Sequence, residues 1–198
     1  MKEYLFTIPY WSFDLSQDWK KNKSTLKRLI KKYPYSRSTC FYSNKDKTDE
    51  TFNNTILSLI KKPLEQVSKE INQSLVLRKA WSCYYKKGDS IIVHKHSNEG
   101  LSGILYLNYN EKKNSKTIYQ QPFQSFWNDQ SFFIVPPVKE GTLVIVPSFI
   151  EHFTLPEKTD KIKEINRAKR ANTGAPFKMK LGNKPSIAKF MRINEKTK

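Results

Sequence analysis

Cysteine is scarce in this 198-residue chain: Cys40 and Cys83 are the only two, and they form no C-x-x-C pair. That count excludes a disulfide framework and a thiolate zinc site. Long apolar runs are missing too, and no stretch approaches the ~20 apolar residues of a membrane helix. The first residues, Met1 to Thr7, carry no long apolar segment or small-residue cleavage site, so no secretory signal is read there and a reducing cytoplasm is the expected setting. No internal repeat or low-complexity tract is evident. Acidic residues are few against basic ones, 18 to 36, which leaves a net charge of +18. Such an excess attracts polyanions, nucleic acid or an acidic protein surface. Lys greatly outnumbers Arg, however, and Lys-rich faces also serve simply to keep a protein in solution. Histidine is scarce as well, with three in all.

What is present is enough for one domain with a sizeable core. Tyr4 to Phe13 reads as a short strand interrupted by Pro9. Asp18 to Tyr33 reads as an amphipathic helix stopped by Pro34, and Tyr35 to Glu50 as a polar loop. Thr51 to Gln73 gives the clearest helical signal, with Phe52, Ile56, Ile60, Leu64, Val67 and Ile71 on one stripe. Pro63 is expected to kink or divide that helix. From Leu75 the period shortens to that of strands. Seven segments are expected: Leu75–Tyr85, Ser90–His96, Ser102–Tyr109, Lys116–Gln121, Ser131–Val135, Thr142–Val146 and Phe149–Leu155. The pattern predicts a mainly β protein with flanking helices, its strands forming an antiparallel sandwich or barrel. The expected divisions are 1–74, a strand and supporting helices; 75–166, the β core; and 167–198, a basic extension that is either a solvated tail or a docking arm for a polyanion or partner.

His94 and His96 stand at i and i+2, and on a strand such residues project from one face. His152 follows the run Thr142-Leu143-Val144-Ile145-Val146-Pro147-Ser148-Phe149-Ile150-Glu151, which can deliver it from a second strand after a tight corner. Three converging imidazoles form a metal-site pattern suited to iron, zinc, copper or nickel.

The frame around these histidines resembles a known family. Trp81 to Asp89, His94-Lys95-His96, Ser102-Gly103-Ile104-Leu105-Tyr106-Leu107 and Gly141 to His152 are similar to small, often phage-encoded 2-oxoglutarate/Fe(II) oxygenases. The resemblance implies a double-stranded β-helix, the cupin-like jelly roll. It also implies Fe(II) held by His94, His96 and His152, with 2-oxoglutarate and dioxygen as co-substrates, in a dioxygenase acting on a protein or nucleic acid. His96 stands where the family at large places a carboxylate. Three neutral ligands leave more charge on the metal, which an anionic oxoacid offsets, and zinc is an alternative occupant. By the same resemblance the oxoacid's distal carboxylate needs a cation on a strand after His152, assigned to Lys161 with Lys163 as its neighbour on the same face, and a hydroxyl from Tyr106. The competing reading is a non-catalytic jelly roll, structural or virion-associated, with a basic surface for nucleic acid or an acidic partner.

Overall fold

The computed structural model describes residues 7–31, 50–124, 130–158 and 186–195. It is mainly β with two helices, and no helix among the described residues is long and apolar enough to cross a membrane. The elements in order are β1 (Trp11–Asp14), α1 (Ser16–Lys31), α2 (Glu50–Glu70), β2 (Leu75–Tyr85), β3 (Ile91–His94), β4 (Leu101–Tyr106), β5 (Thr117–Gln124), β6 (Ser131–Ile134), β7 (Thr142–Pro147), β8 (His152–Thr154) and β9 (Ser186–Glu195). Two open sheets result, ordered β1-β7-β4-β9-β2 and β3-β8-β5-β6, with every pairing antiparallel. The seven strands expected from Leu75 onward are all present. The sheets keep their own edges, so the closed barrel allowed for in the sequence is not the arrangement observed.

Alternation along β4 and β7 divides the core into two layers. Leu101, Leu105, Leu143 and Ile145 point to one side, where they pack with Trp19, Leu26, Ile56, Ile60 and Val67 of the helices. Ile104, Tyr106, Val144 and Val146 point to the other, where they meet Ile91 and Tyr119 of the smaller sheet. Period-two side chains on both central strands are apolar on both faces because both faces are covered. α2 covers the five-stranded sheet as expected, but Pro63 lies inside it without dividing it. Its ring is buried next to Leu64 of the helix-side core, so burial offsets the lost backbone hydrogen bond.

β2 departs from simple alternation. Leu75 and Leu77 pack toward the helices, yet Trp81, Cys83 and Tyr85, also odd-numbered, face the layer between the sheets. The register slips between Leu77 and Lys79. One extra residue in a strand reverses the faces of everything after it. Beside this bulge the Ala80 amide donates to Asn53 Oδ1 of α2 at 3.2 Å, so the helix occupies a donor on the sheet's edge.

Within 167–198, the stretch that reads from sequence as a basic extension, Ser186–Glu195 forms β9 and pairs with β4 on one side and β2 on the other, in the interior of the larger sheet. Lysine and arginine within this strand masked its apolar alternation.

Candidate metal centre

His94 ends β3 and His152 begins β8, and the two are cross-strand partners. Regular alternation after buried Ile91 would turn His94 outward. β3 instead contains one residue more than β8 between Ile91↔Thr154 and His94↔His152. Ile92 and Val93 are consequently both exposed, and His94 points inward with Ile91. Bulges of this kind re-aim side chains beside functional sites.

His96 lies beyond the end of the strand, so the i, i+2 face rule does not position it. A clamp does. The His96 and Ser97 amides both donate to the Ser148 carbonyl, at 3.1 and 3.3 Å, while the Ser148 amide donates to Gly100 O at 2.9 Å. The buried hydroxyls of Ser102 and Ser148 bond at 2.8 Å. The turn Pro147–Ile150, closed by the Ile150 amide on Pro147 O, thereby holds the 96–100 loop against the start of β8.

The three rings meet with centroids 4.5 Å (His94–His152), 5.0 Å (His96–His152) and 5.2 Å (His94–His96) apart. One ligand atom from each falls within 4.8 Å of the others, and all three Nε2 atoms are shielded from solvent. His94 Nδ1 lies 2.9 Å from the Ile92 carbonyl and His152 Nδ1 3.0 Å from the Ile150 carbonyl. A carbonyl only accepts, so Nδ1 of both rings carries the proton and the Nε2 lone pair faces the cluster. Burial, and secondarily the charge of His94, pulls His152 down to about 4, so its ring is neutral near neutral pH. Oriented imidazoles with shielded ring nitrogens suit the binding of a divalent metal. The donor set therefore fits such an ion. Trp81 and Tyr119 wall the cluster, with ring centroids 5.5 Å from His96 and 5.6 Å from His152.

Behind the histidines lies a buried hydroxyl layer. Tyr106 is fully buried, and burial raises its hydroxyl far above the ordinary range, with Thr117, Tyr109 and Tyr119 beside it. Tyr119 is raised likewise, again chiefly by burial. Tyr109 is pushed up to about 12 by burial and then by the charges of Glu157 and Glu111. All three phenols stay protonated and can donate to an anion. Tyr106 thus stands in the layer between the sheets. Lys161 and Lys163 lie outside the described residues. On β9, Arg192 is the cross-strand partner of Ser102. The alternating run Ile187-Ala188-Lys189-Phe190-Met191-Arg192-Ile193 was the available signal for a strand there.

Two depressions border the cluster. A cavity of about 230 Å³ is lined by Tyr10, Tyr119, Pro122, Ile134, Val146 and Ile150 among others. A larger groove of about 650 Å³ runs past Lys95, Gln121, Phe123, Ser131, Phe149 and Glu151. Both are bordered by Gln120–Phe123.

Residues 79–165 match the model of a family described as "Putative 2OG-Fe(II) oxygenase", the resemblance read from the motifs. No curated protein matches the sequence. Among solved structures, similarity extends over nearly the whole chain. A Pseudomonas putida prolyl-4-hydroxylase is 12% identical with a TM-score of 0.57, covering 96% of this chain and 94% of its own. The viral collagen prolyl hydroxylase of Paramecium bursaria Chlorella virus-1, solved as its 2OG complex, is 13% identical with a TM-score of 0.55, covering 93% and 94%. The non-heme α-ketoglutarate-dependent epimerase SnoN from nogalamycin biosynthesis is 10% identical with a TM-score of 0.65, covering 95% and 79%. At these identities the likeness is one of fold.

Proposed function

We propose that this chain is a jelly-roll dioxygenase that holds Fe(II) with His94, His96 and His152 and uses 2-oxoglutarate as co-substrate. The observation that carries the reading is the convergence of three buried Nε2 atoms inside the region that matches the oxygenase family. Bound Fe(II) with 2-oxoglutarate would supply dioxygen chemistry, one oxygen atom leaving in succinate and the other entering the substrate.

The chain's own residues do the remainder. Ile92 and Ile150 carbonyls fix the tautomers of His94 and His152, and the Ser148 clamp fixes His96. Trp81 and Tyr119 exclude water from the ring cluster. Three neutral ligands leave a divalent ion its full charge, which favours a dianionic oxoacid over a neutral co-substrate. The oxoacid's distal carboxylate, once removed from water, requires donors and a cation. Tyr106 offers a protonated hydroxyl. Lys161 is the cation read from the sequence; Arg192 is a second candidate, because its strand pairs with β4 at Ser102, whose hydroxyl bonds Ser148 of the clamp. Arg also provides the planar fork that a carboxylate fits.

The test is succinate production by anaerobically prepared, iron-loaded protein supplied with 2-oxoglutarate and dioxygen. Calorimetric titration of the metal-loaded protein with 2-oxoglutarate should show binding that Arg192→Ala weakens at least about tenfold, the loss of a charge-assisted pair. Absence of 2-oxoglutarate binding by the metal-loaded wild type would sink the oxygenase reading. A reducing cytoplasm, which would keep iron ferrous, is the proposed setting.

A further inference from the structure

Charge is distributed unevenly over this molecule, and the uneven part borders the histidines. Charged residues make up 27% of the chain, yet residues 117–124 and 130–138 contain none. These segments are β5, β6 and the stretch after it, and they present large apolar side chains to solvent. Phe123 is 49% exposed, Phe133 54% and Ile134 47%, with Phe132, Val135 and Phe149 also exposed. Contiguous exposed apolar surface marks an interaction site. β6 is the terminal strand of the smaller sheet, so one side of its backbone is unclaimed by any described strand. The strand is short, but within Ser131–Ile134 it carries no lysine, no proline and no inward charge.

The inner face of this edge leads toward the candidate metal centre, because Ile134 is the cross-strand partner of Tyr119 and Tyr119 that of His152. Phe133 packs edge-on against Phe153 on the opposite face, at 6.0 Å between centroids. Three residues of β5, Gln121 to Phe123, bulge between the pairs Gln120↔Phe133 and Gln124↔Ser131 and separate the apolar cavity from the larger groove. The groove's charged lining is Lys95 and Glu151, which offset each other.

We infer that this neutral edge and groove bind an extended, uncharged polypeptide segment bearing apolar side chains at alternate positions, laid along β6 toward the histidines. A nucleic acid requires a lining of Lys and Arg to meet its phosphates, which these segments lack despite the net charge of +18. An added strand gains backbone hydrogen bonds from β6, and its alternate side chains reach the cavity beside Ile134 and Tyr119. That the segment is a substrate rests on the oxygenase reading; that it binds does not.

The test uses metal-free protein and an array of 12-residue uncharged peptides, with Val, Ile, Phe or Pro alternating with Ser, Thr or Gln, read by fluorescence anisotropy. A dT12 oligonucleotide is the comparison probe. Peptides of the array should bind with an affinity insensitive to salt, and Phe133→Glu should weaken them about tenfold or more, as for an interface anchor. Ile134→Lys, a second exposed position, should do the same, with circular dichroism melts reporting that both variants fold. Oligonucleotide binding should fall with salt and ignore both substitutions. The inference is overturned if no peptide of the array binds, if neither substitution weakens binding, or if they weaken oligonucleotide binding instead. It is equally overturned if wild-type protein dimerises and Phe133→Glu abolishes the dimer, because the edge then belongs to a second copy. Peptide binding without succinate formation in the iron-loaded protein leaves the groove assigned and rejects the oxygenase. Succinate formation without peptide binding does the reverse.

Discussion

At the residue scale the metal centre depends on which ring nitrogens hold protons. His152 titrates near 6.5 when unfolded and about 4 when folded, because burial and His94 disfavour its charge. Between those values the unfolded chain binds more protons. Stability of the metal-free protein should therefore be level above pH ~6.5 and fall as pH drops toward 4, by about 3 kcal/mol from this residue. Urea melts across that window, compared with those of His152→Gln, would check it; an equal slope in the variant would reject His152 as the source. Gly141 makes a separate, structural demand. Its φ is +89°, and an added Cβ would come within 2.6 Å of the Ser16 Cα at the start of α1. Its carbonyl accepts the Leu15 amide and its amide donates to Tyr106 O, so the backbone has no room to retreat. Gly141→Ala should cost about 2–4 kcal/mol of stability by strain and overpacking together. Gly88 has φ +87° but open space around its Cα, so Gly88→Ala should cost only about 1 kcal/mol. Thermal melts of the two variants should separate them clearly.

At the scale of elements, bulges decide which faces are which. In β3 the extra residue turns His94 toward His152. Deleting Val93 removes the bulge and leaves His94 two positions after buried Ile91, on the same face and still opposite His152. Cobalt uptake, followed by visible absorption, should persist while the fold persists; loss of uptake would show that inward alternation from Ile91 does not by itself place the ligand. The same reasoning explains what could be read from the sequence. Apolar periodicity located α2 and all seven strands from Leu75 to Thr154, because those patterns are local. The histidine cluster was legible from residue type and order, although the stated cause held for neither member of the pair. His94 faces inward through a bulge and His96 through hydrogen bonds to Ser148, and neither device has a period. The bulge at Leu77/Lys79 was equally hidden: every second residue from Leu75 to Tyr85 is apolar except Lys79, which suggested a single face where there are two.

Across the whole molecule the least legible element is also one of the most heavily paired. β9 was submerged in a lysine-rich stretch, since its place between β4 and β2 comes from long-range pairing that local composition does not encode. A chain ending at residue 185 should lose cooperative unfolding, although it retains every residue of the family match at 79–165. It would expose the inner edges of β4 and β2 together, so aggregation should accompany the loss. A sharp two-state urea transition for that truncation would contradict the prediction.

The position of β9 also has a consequence for synthesis. A ribosome makes this chain from β1 onward, and β1, β7 and β4 can join as soon as β7 emerges. β2 cannot join them, since it reaches β4 only through β9. Until residues 186–195 have been translated, the nascent protein carries two unfinished sheet edges, each offering backbone groups to any neighbouring strand. The apolar layer that walls the histidines, to which Trp81, Cys83 and Tyr85 of β2 belong, therefore stays incomplete through most of translation. Metal capture should then follow the last strand: a nascent chain arrested before β9 would lack the Trp81 wall, and one arrested well after it would have the full cluster in place.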